Sequence, residues 1–256
     1  MIKLVFFDID GTLIPFNTGI LPVSTYKGLL KLRENGIKIY VATGKSLAQM
    51  SSTQAFRIPF DGYLTLNGQL CYDKNLHMFF GTPIDDKEME VLEQIFNANR
   101  IPFSLVGEFS RYINFVDEKA ASGYIKTNSP IPDIGKYMGE KIYQITAFVN
   151  ERQREVFEDV LDYCTITSWA PGAIDIMPKQ GGKMNAIKRI MEINNCTPEE
   201  CMAFGDAEND IKMLELVGTG VAMGNGTQRC KAAADYITDN VDDNGIYKAL
   251  VHFGLI

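Results

Sequence analysis

The sequence predicts an α/β protein built on a doubly wound parallel sheet, with a separate α+β segment inserted into it. Three observations carry that prediction. Short apolar runs, at residues 4–7, 37–42 and 201–204, have the length and near-continuous hydrophobicity of strands buried on both faces. Helix-length amphipathic stretches alternate with such runs at both ends of the chain, as crossover units require. In between, strands follow one another with segregated helices, the pattern of an α+β unit. The expected division is 1–81 for the first part of the core, 82–178 for the inserted domain and 179–256 for the second part of the core.

The first strand, residues 4–7, runs into Asp8-Ile9-Asp10-Gly11-Thr12-Leu13. Two carboxylates at the end of a hydrophobic strand are costly to bury unless a cation or a hydrogen-bond network compensates them. The pair is therefore read as chemical, since perturbed acids cluster at functional sites. Gly11 lets the backbone leave in a conformation that a side chain would resist. A loop with Pro15, Gly19 and Pro22 follows, and Ser24 is the expected N-cap of a helix to about residue 35, which Gly36 stops. Residues 37–42 form the second strand and end in Thr43-Gly44. A right-handed βαβ unit then brings Asp8 and Thr43 to one carboxyl edge, where open α/β sheets place their ligands.

A helix over 46–56 leads to a third strand at 62–66, then to a hairpin of 70–72 and 76–80. The inserted segment reads as a helix at 85–100, strands at 102–106 and 112–116, a helix at 117–126, a loop with Pro130 and Pro132, a strand at 142–149, a helix at 151–163 and strands at 165–168 and 173–177. Alternation resumes with a helix from Lys183 to about 194 and the strand 201–204, which ends in Gly205-Asp206. A helix at 208–216, a strand at 220–223, a helix at 227–234, a strand at 236–238 and a last helix near 244–253 complete the chain.

Composition narrows the function classes. The 256 residues are 46% hydrophobic and 22% charged, with a mean hydropathy of −0.06, which is ordinary for a globular chain and excludes disorder. The net charge of −7 argues against nucleic acid or an anionic membrane as partner. It permits an anionic small substrate, because a divalent metal reverses the sign locally. No apolar run approaches a membrane span, and the apolar run after Lys3 is too short for a signal peptide. A cytoplasmic location is expected. The five cysteines, Cys71, Cys164, Cys196, Cys201 and Cys230, are odd in number and scattered, which reads as reduced thiols. His77 and His252 have no serine or cysteine motif beside them, so a histidine-based triad is not expected.

Asp8-Ile9-Asp10, Thr43-Gly44, Lys183 and Gly205-Asp206-Ala207-Glu208-Asn209-Asp210 all fall at strand ends or at the mouth of a helix. Singly, Thr-Gly also reads as a turn and the acidic run as a helix cap. A lysine at a helix start opposes the helix dipole. Together they form a chemical kit. Asp8 and Asp206 offer hard oxygen ligands for Mg²⁺, while Lys183 and the Thr43 hydroxyl offer a charge and a donor for phosphoryl oxygens.

On these motifs, with Leu66-Asn67-Gly68 and Val221-Ala222-Met223-Gly224-Asn225, the chain resembles phosphatases of the haloacid dehalogenase superfamily. It is most similar to the Cof-type branch, whose large type-IIB cap is inserted after the third strand, and to bacterial hexose-phosphate phosphatases. The resemblance implies a Rossmann-like core with an α+β cap and Mg²⁺ as cofactor. It makes Asp8 the nucleophile that forms an aspartyl-phosphate, and Asp10 the acid that protonates the leaving alcohol and then the base for water. It assigns Thr43, Gly44, Lys183 and Asn209 to the phosphate. Asp8, Asp10 (through its backbone carbonyl) and Asp206 go to the metal, with Asp210 supporting them.

The cap is expected to close over the site and select the substrate, with Arg111, Tyr112, Lys119, Lys126 and Trp169 as candidate contacts. Small phosphorylated metabolites, sugar phosphates first, are the expected substrates, and the protein is expected to be a monomer or small homo-oligomer. The alternatives are a phosphomutase, or a non-catalytic phosphate-binding or phospho-acceptor module on the same fold. Two positions depart from the branch's common pattern. Lys45 stands where arginine is usual after Thr-Gly, and Met184 stands where glycine usually follows the motif lysine.

Overall fold

The structure is a computed structural model and describes residues 1–126, 130–170 and 172–256, the side chains of residues 169 and 170 excepted. It forms two compact units, Met1–Phe80 with Lys183–Ile256, and Gly81–Gly182. The second crossing thus falls four residues later than the sequence reading places it, because the turn after the last strand of the insertion stays with the insertion.

In the first unit, β1 (Leu4–Phe7) is buried at every position. Helix α1 (Val23–Glu34) begins behind Pro22, with no side-chain cap. Ser24, expected as the cap, lies inside the first turn, and its hydroxyl donates to Asn244 Oδ1 (2.5 Å). Gly36 takes φ +77° and closes the helix end as a residue without a Cβ can. After β2 (Lys38–Ala42), the helix expected over 46–56 is two pieces. Helix α2 (Leu47–Ser51) carries a Ser46–Gln49 capping box, and a 3₁₀ turn spans Gln54–Arg57. The break has a local cause. The hydroxyls of Ser51, Ser52 and Thr53 donate to the carbonyls of Ala48, Gln49 and Met50, offering the backbone an alternative to the helix ladder. Strands β3 (Gly62–Thr65), β4 (Leu70–Asp73) and β5 (Met78–Gly81) follow.

The second unit contains α3 (Asp86–Ala98), β6 (Phe103–Val106), β7 (Arg111–Ile113), α4 (Glu118–Lys126), β8 (Asp133–Ile134), β9 (Gln144–Phe148), α5 (Glu151–Glu158), β10 (Cys164–Ala170) and β11 (Ala173–Pro178). Its six strands run β10-β11-β9-β6-β7-β8, antiparallel except where β8 lies parallel to β7. Strand β8 is a two-residue edge strand in the stretch read as a proline-containing loop. Side chains alternate across the sheet, so Phe103, Leu105, Ile145, Ala147, Ile174 and Ile176 gather on one face with Phe96 of α3 and Phe157 of α5. Phe96–Phe103 and Phe103–Phe157 meet edge-on at 5.2 and 5.4 Å. On the other face, Tyr124 of α4 packs on Phe148 at 4.7 Å.

The chain returns to the first unit with α6 (Lys183–Asn194), β12 (Cys201–Gly205), a 3₁₀ turn at Glu208–Asp210, α7 (Ile211–Leu216), β13 (Thr219–Ala222), α8 (Gln228–Ala232), β14 (Tyr236–Ile237) and α9 (Gly245–His252). The completed sheet runs β14-β13-β12-β1-β2-β3-β4-β5. It is parallel from β14 to β3, and β4 is antiparallel on β3. Strands after β1 are added first to one side and then to the other, so the winding reverses between β1 and β12. Leu4, Phe6, Tyr40, Ala42, Cys201 and Ala203 lie in one core cluster with Ala186, Ile187 and Ile190 of α6. Their neighbours Val5, Phe7, Ile39, Val41, Met202 and Phe204 are equally buried and point to the opposite face. There the rings of Phe7 and Phe204 stack at 5.0 Å.

That stack lies directly under the reversal point. Phe7→Ala is expected to lower unfolding stability by about 3–5 kcal/mol, as read by urea denaturation. A loss below about 1 kcal/mol would show that the pair does not anchor the sheet.

Candidate active site

The parallel register, Phe7 opposite both Phe204 and Val41, brings the residues after β1, β2 and β12 to one carboxyl edge. Asp8 N–H continues the ladder to Phe204 O (3.1 Å), and Thr43 N–H continues it to Leu64 O (2.8 Å). The crevice outside a winding reversal is where open α/β sheets hold ligands.

Four buried charged groups meet there. Lys183, the first residue of α6, is fully enclosed, and its Nζ donates to Asp8 Oδ1 (2.5 Å) and Asp210 Oδ1 (2.6 Å). Asp210 Oδ2 accepts the backbone N–H groups of Asp206 (2.9 Å) and Ala207 (3.0 Å). Asp206 Oδ1 accepts from the buried Thr12 hydroxyl (2.8 Å). Both oxygens of Asp210 are thus engaged. Asp8 Oδ2 and Asp206 Oδ2 carry no hydrogen bond or ion pair among the described residues.

The electrostatics follow from crowding. Burial, and then the Asp210 charge, push the Asp206 carboxyl up to about 6. Burial also raises Asp8 well above the usual carboxylate range, against the pull of Lys183. For Lys183, burial alone would lower the ammonium, but the Asp210 and Asp8 carboxylates override it and raise it.

Asp8, Asp206 and Asp210 can each bring one oxygen within 4.8 Å of the others. Three ionised carboxylates around one ammonium leave a charge of −2 in a buried space, so the residues present fit a divalent cation. An all-oxygen donor set suits a hard ion such as Mg²⁺. Asp8 and Asp206, with their unengaged oxygens, are the carboxylates able to hold it.

Asp10 lies apart from this cluster. Its side chain is half-exposed and forms an ion pair with Lys45 Nζ (2.6 Å). Thr43 is buried, and its Oγ1 accepts from Lys45 N–H (3.2 Å), which leaves the hydroxyl hydrogen to donate elsewhere. Gly44 sits against Asn67, whose Oδ1 a methyl at Gly44 would approach to 3.3 Å. Asn67 Oδ1 in turn accepts from Asn209 Nδ2 (3.1 Å).

Two residues given no role by the sequence reading, Thr12 and Asn225, belong here, and Gly11 does more than turn the chain. Thr12 holds Asp206. Asn225 donates to Gly11 O (2.8 Å) and accepts from Val241 N–H (2.8 Å), tying the first motif to two later loops. Gly11 has φ +80°, and a methyl there would lie 2.3 Å from Asp206 Oδ2. Thr12 and Asn225 stand inside motifs quoted from the sequence, but only contacts across more than 190 residues reveal what they hold.

The candidate specificity residues lie in the second unit, and two of them, Arg111 and Tyr112, already have partners in it. The Arg111 guanidinium sits over the Tyr124 ring, 5.5 Å from its centroid. The Tyr112 hydroxyl donates to Glu140 Oε1 (2.5 Å), and its ring packs edge-on against Phe96. Lys119 and Lys126 are exposed. Trp169 falls in β10, and its side chain lies outside the described residues.

A sequence model of the haloacid dehalogenase-like hydrolases matches residues 5–250. The chain is similar to a Bacillus subtilis (strain 168) protein provisionally named as the phosphatase YkrA, at 29% identity over 99% of this chain and 98% of that protein. Its structure is similar to BT1666 from Bacteroides thetaiotaomicron, described among phosphatases of the HAD superfamily. The TM-score is 0.91 at 28% identity, covering 100% of this chain and 96% of that one. It is also similar to BT4131, described as a HAD subclass IIB sugar phosphatase, with a TM-score of 0.84 at 31% identity, covering 99% and 100%. Among the described residues no helix is long and apolar enough to cross a membrane.

If the cation displaces protons from this cluster, its binding is pH-dependent. The native-state value of Asp206, about 6, exceeds the ordinary 3.8, so the metal-free native state takes up a proton that the unfolded chain takes up only at lower pH. The metal-free protein therefore gains stability from this group as pH falls through about 6, and carries its full cost above it. Mg²⁺, which needs the ionised form, is expected to raise Tm at pH 7.5 and to raise it much less at pH 5. An equal Mg²⁺ effect at both values would contradict this, and Asp206→Asn should flatten the difference.

Proposed function

The chain belongs to the haloacid dehalogenase-like hydrolases and is a phosphoric monoester hydrolase of the Cof type, and on that premise we propose that it is a Mg²⁺-dependent phosphatase of small phosphorylated metabolites, sugar phosphates first. The observation that supports this most is the buried cluster itself: three carboxylates and one lysine at the winding reversal. A phosphoryl group is a tri-oxygen anion, and its transfer depends on positioning and charge stabilisation more than on any other protein chemistry. The name of the similar sugar phosphatase supports the substrate class.

In this reading Asp8 is the nucleophile. One of its carboxylate oxygens forms the bond to phosphorus while the ester oxygen departs with its electron pair, and the other stays available to Lys183 and the cation. Asp10, half-exposed where a leaving group can reach it, gives that oxygen its proton. The same carboxylate then takes a proton from the water that hydrolyses the aspartyl-phosphate. The Thr43 hydroxyl, the Gly44 backbone N–H, the Lys183 ammonium and the Asn209 amide steady the phosphoryl oxygens. Asp210, with both oxygens engaged, holds Lys183 and the turn that carries Asp206. When bound by Asp8, Asp206 and the Asp10 carbonyl, Mg²⁺ supplies positive charge to the transferring group. A phosphomutase or a phospho-acceptor module would use the same cluster, but nothing in its geometry favours either.

Turnover of p-nitrophenyl phosphate should require Mg²⁺ and disappear in EDTA. Asp8→Asn should reduce kcat by more than about 10³-fold while leaving the protein folded, as read by circular dichroism. Equal turnover with and without chelator, or a fully active Asp8→Asn, would overturn the reading.

A further inference from the structure

We propose that Phe16 is a specificity-determining residue of this site, presenting its ring as a platform for the carbon skeleton of a cyclic leaving group such as a hexopyranose. The inference rests on the phosphatase reading and deepens it. Phe16 is 76% exposed, whereas Phe7 and Phe204, near the carboxyl ends of β1 and β12, are fully buried. Burying a phenylalanine contributes about 1.5–3 kcal/mol, so its exposure runs against the packing preference of the unit.

The exposure does not come from a frayed loop. Residue 15 is buried, Gly11 N–H donates to Ile14 O (2.8 Å), and Gly19 N–H donates to Pro15 O (3.0 Å). Further along, Asn17 Nδ2 reaches Asp242 Oδ2 (3.4 Å) and Leu21 N–H reaches Gln54 Oε1 (3.0 Å). The loop is tied at both ends and in its middle while the ring stands in solvent.

Its place is what assigns the role. A methyl at Gly11 would lie 2.7 Å from Phe16 Cε2 and 2.3 Å from Asp206 Oδ2, so the ring edge and the carboxylate both close on the same backbone position. Gly11 directly follows Asp10, the group that must meet the leaving oxygen. A leaving group whose oxygen lies at Asp10 therefore carries its carbon skeleton over this loop. The ring offers no hydrogen bond and no charge. What it can recognise is a flat face of C–H groups or a second ring, through apolar contact and the electron-rich ring face.

The test compares the wild-type protein, Phe16→Ala and Phe16→Trp, all with Mg²⁺, on glucose 6-phosphate, p-nitrophenyl phosphate and acetyl phosphate. The first two have ring-shaped leaving groups and the third does not. Phe16→Ala is expected to lower kcat/KM about tenfold on the two ring esters, mainly through KM. This is the scale of one aromatic contact with its buried area. Acetyl phosphate should stay within about twofold, and Phe16→Trp should restore the ring esters. An equal fall on all three substrates, a fall in kcat alone, or no change would overturn the assignment while leaving the phosphatase reading standing. A wild-type protein inactive on all three would overturn both.

Discussion

The first unit depends on one enclosed ammonium group. Lys183 reaches Asp8, 175 residues earlier, and Asp210, 27 residues later. One strand end and two helix starts therefore share a single charge. Such a contact is possible only if the chain, having left the sheet after β5, returns to place α6 and β12 beside β1. A lysine at the first position of a helix faces an unfavourable dipole, and a fully buried one faces desolvation as well. Only the pair of carboxylates makes the position tolerable. Conversely, Asp210 without Lys183 would be a buried anion against its neighbours, and losing one partner of such a set is far more damaging than replacing the whole of it.

Burial alone does not say which of the three carboxylates works and which supports. Counting their oxygens does. Asp210 uses both, one on Lys183 and one on two backbone amides. It behaves as a strut that fixes the turn at residues 206–207. Asp8 and Asp206 each keep one oxygen without a protein partner among the described residues, and both are pushed up by burial. These unengaged oxygens are the ones a cation or an electrophile would meet. Thr12 and Gly11 fix Asp206: the threonine hydroxyl holds one oxygen, and a Cβ at Gly11 would collide with the other.

Much of this architecture is legible in the sequence, for physical reasons that can be named. Apolar runs that end abruptly in Asp8, Thr43 and Asp206 mark strands buried on both faces whose polar ends share one edge, and β1, β2 and β12 do so. What a one-dimensional pattern cannot express is pairing at long range. Thr12 on Asp206, Asn225 on Gly11 and Asn209 on Asn67 are ordinary side chains until the fold brings them together. Local competition also misleads. Three successive hydroxyl residues, Ser51 to Thr53, split a helix whose hydrophobic spacing reads as continuous, and Pro22 displaces Ser24 from the cap. Strand β8, two residues long, has too little pattern to register. The division of the chain between its units falls a few residues from the composition change, because a turn belongs to whichever sheet it closes rather than to its own residue types.

The motif Asp8-Ile9-Asp10 then separates into two environments within three residues. Asp8 extends the strand and is enclosed with Lys183. Asp10 begins a tight turn, bridging to Ile14, and pairs with Lys45 at the half-exposed rim. The partner's identity matters. A guanidinium would grip both carboxylate oxygens as a fork and fix the plane of the group, whereas an ammonium on a flexible stem makes a point contact. In the role proposed for Asp10, a carboxylate that first gives a proton to a leaving oxygen and then takes one from water has to turn between two positions. One held at a single point by Lys45 keeps that freedom, so the substitution that departs from the family's common pattern suits the side chain expected to move.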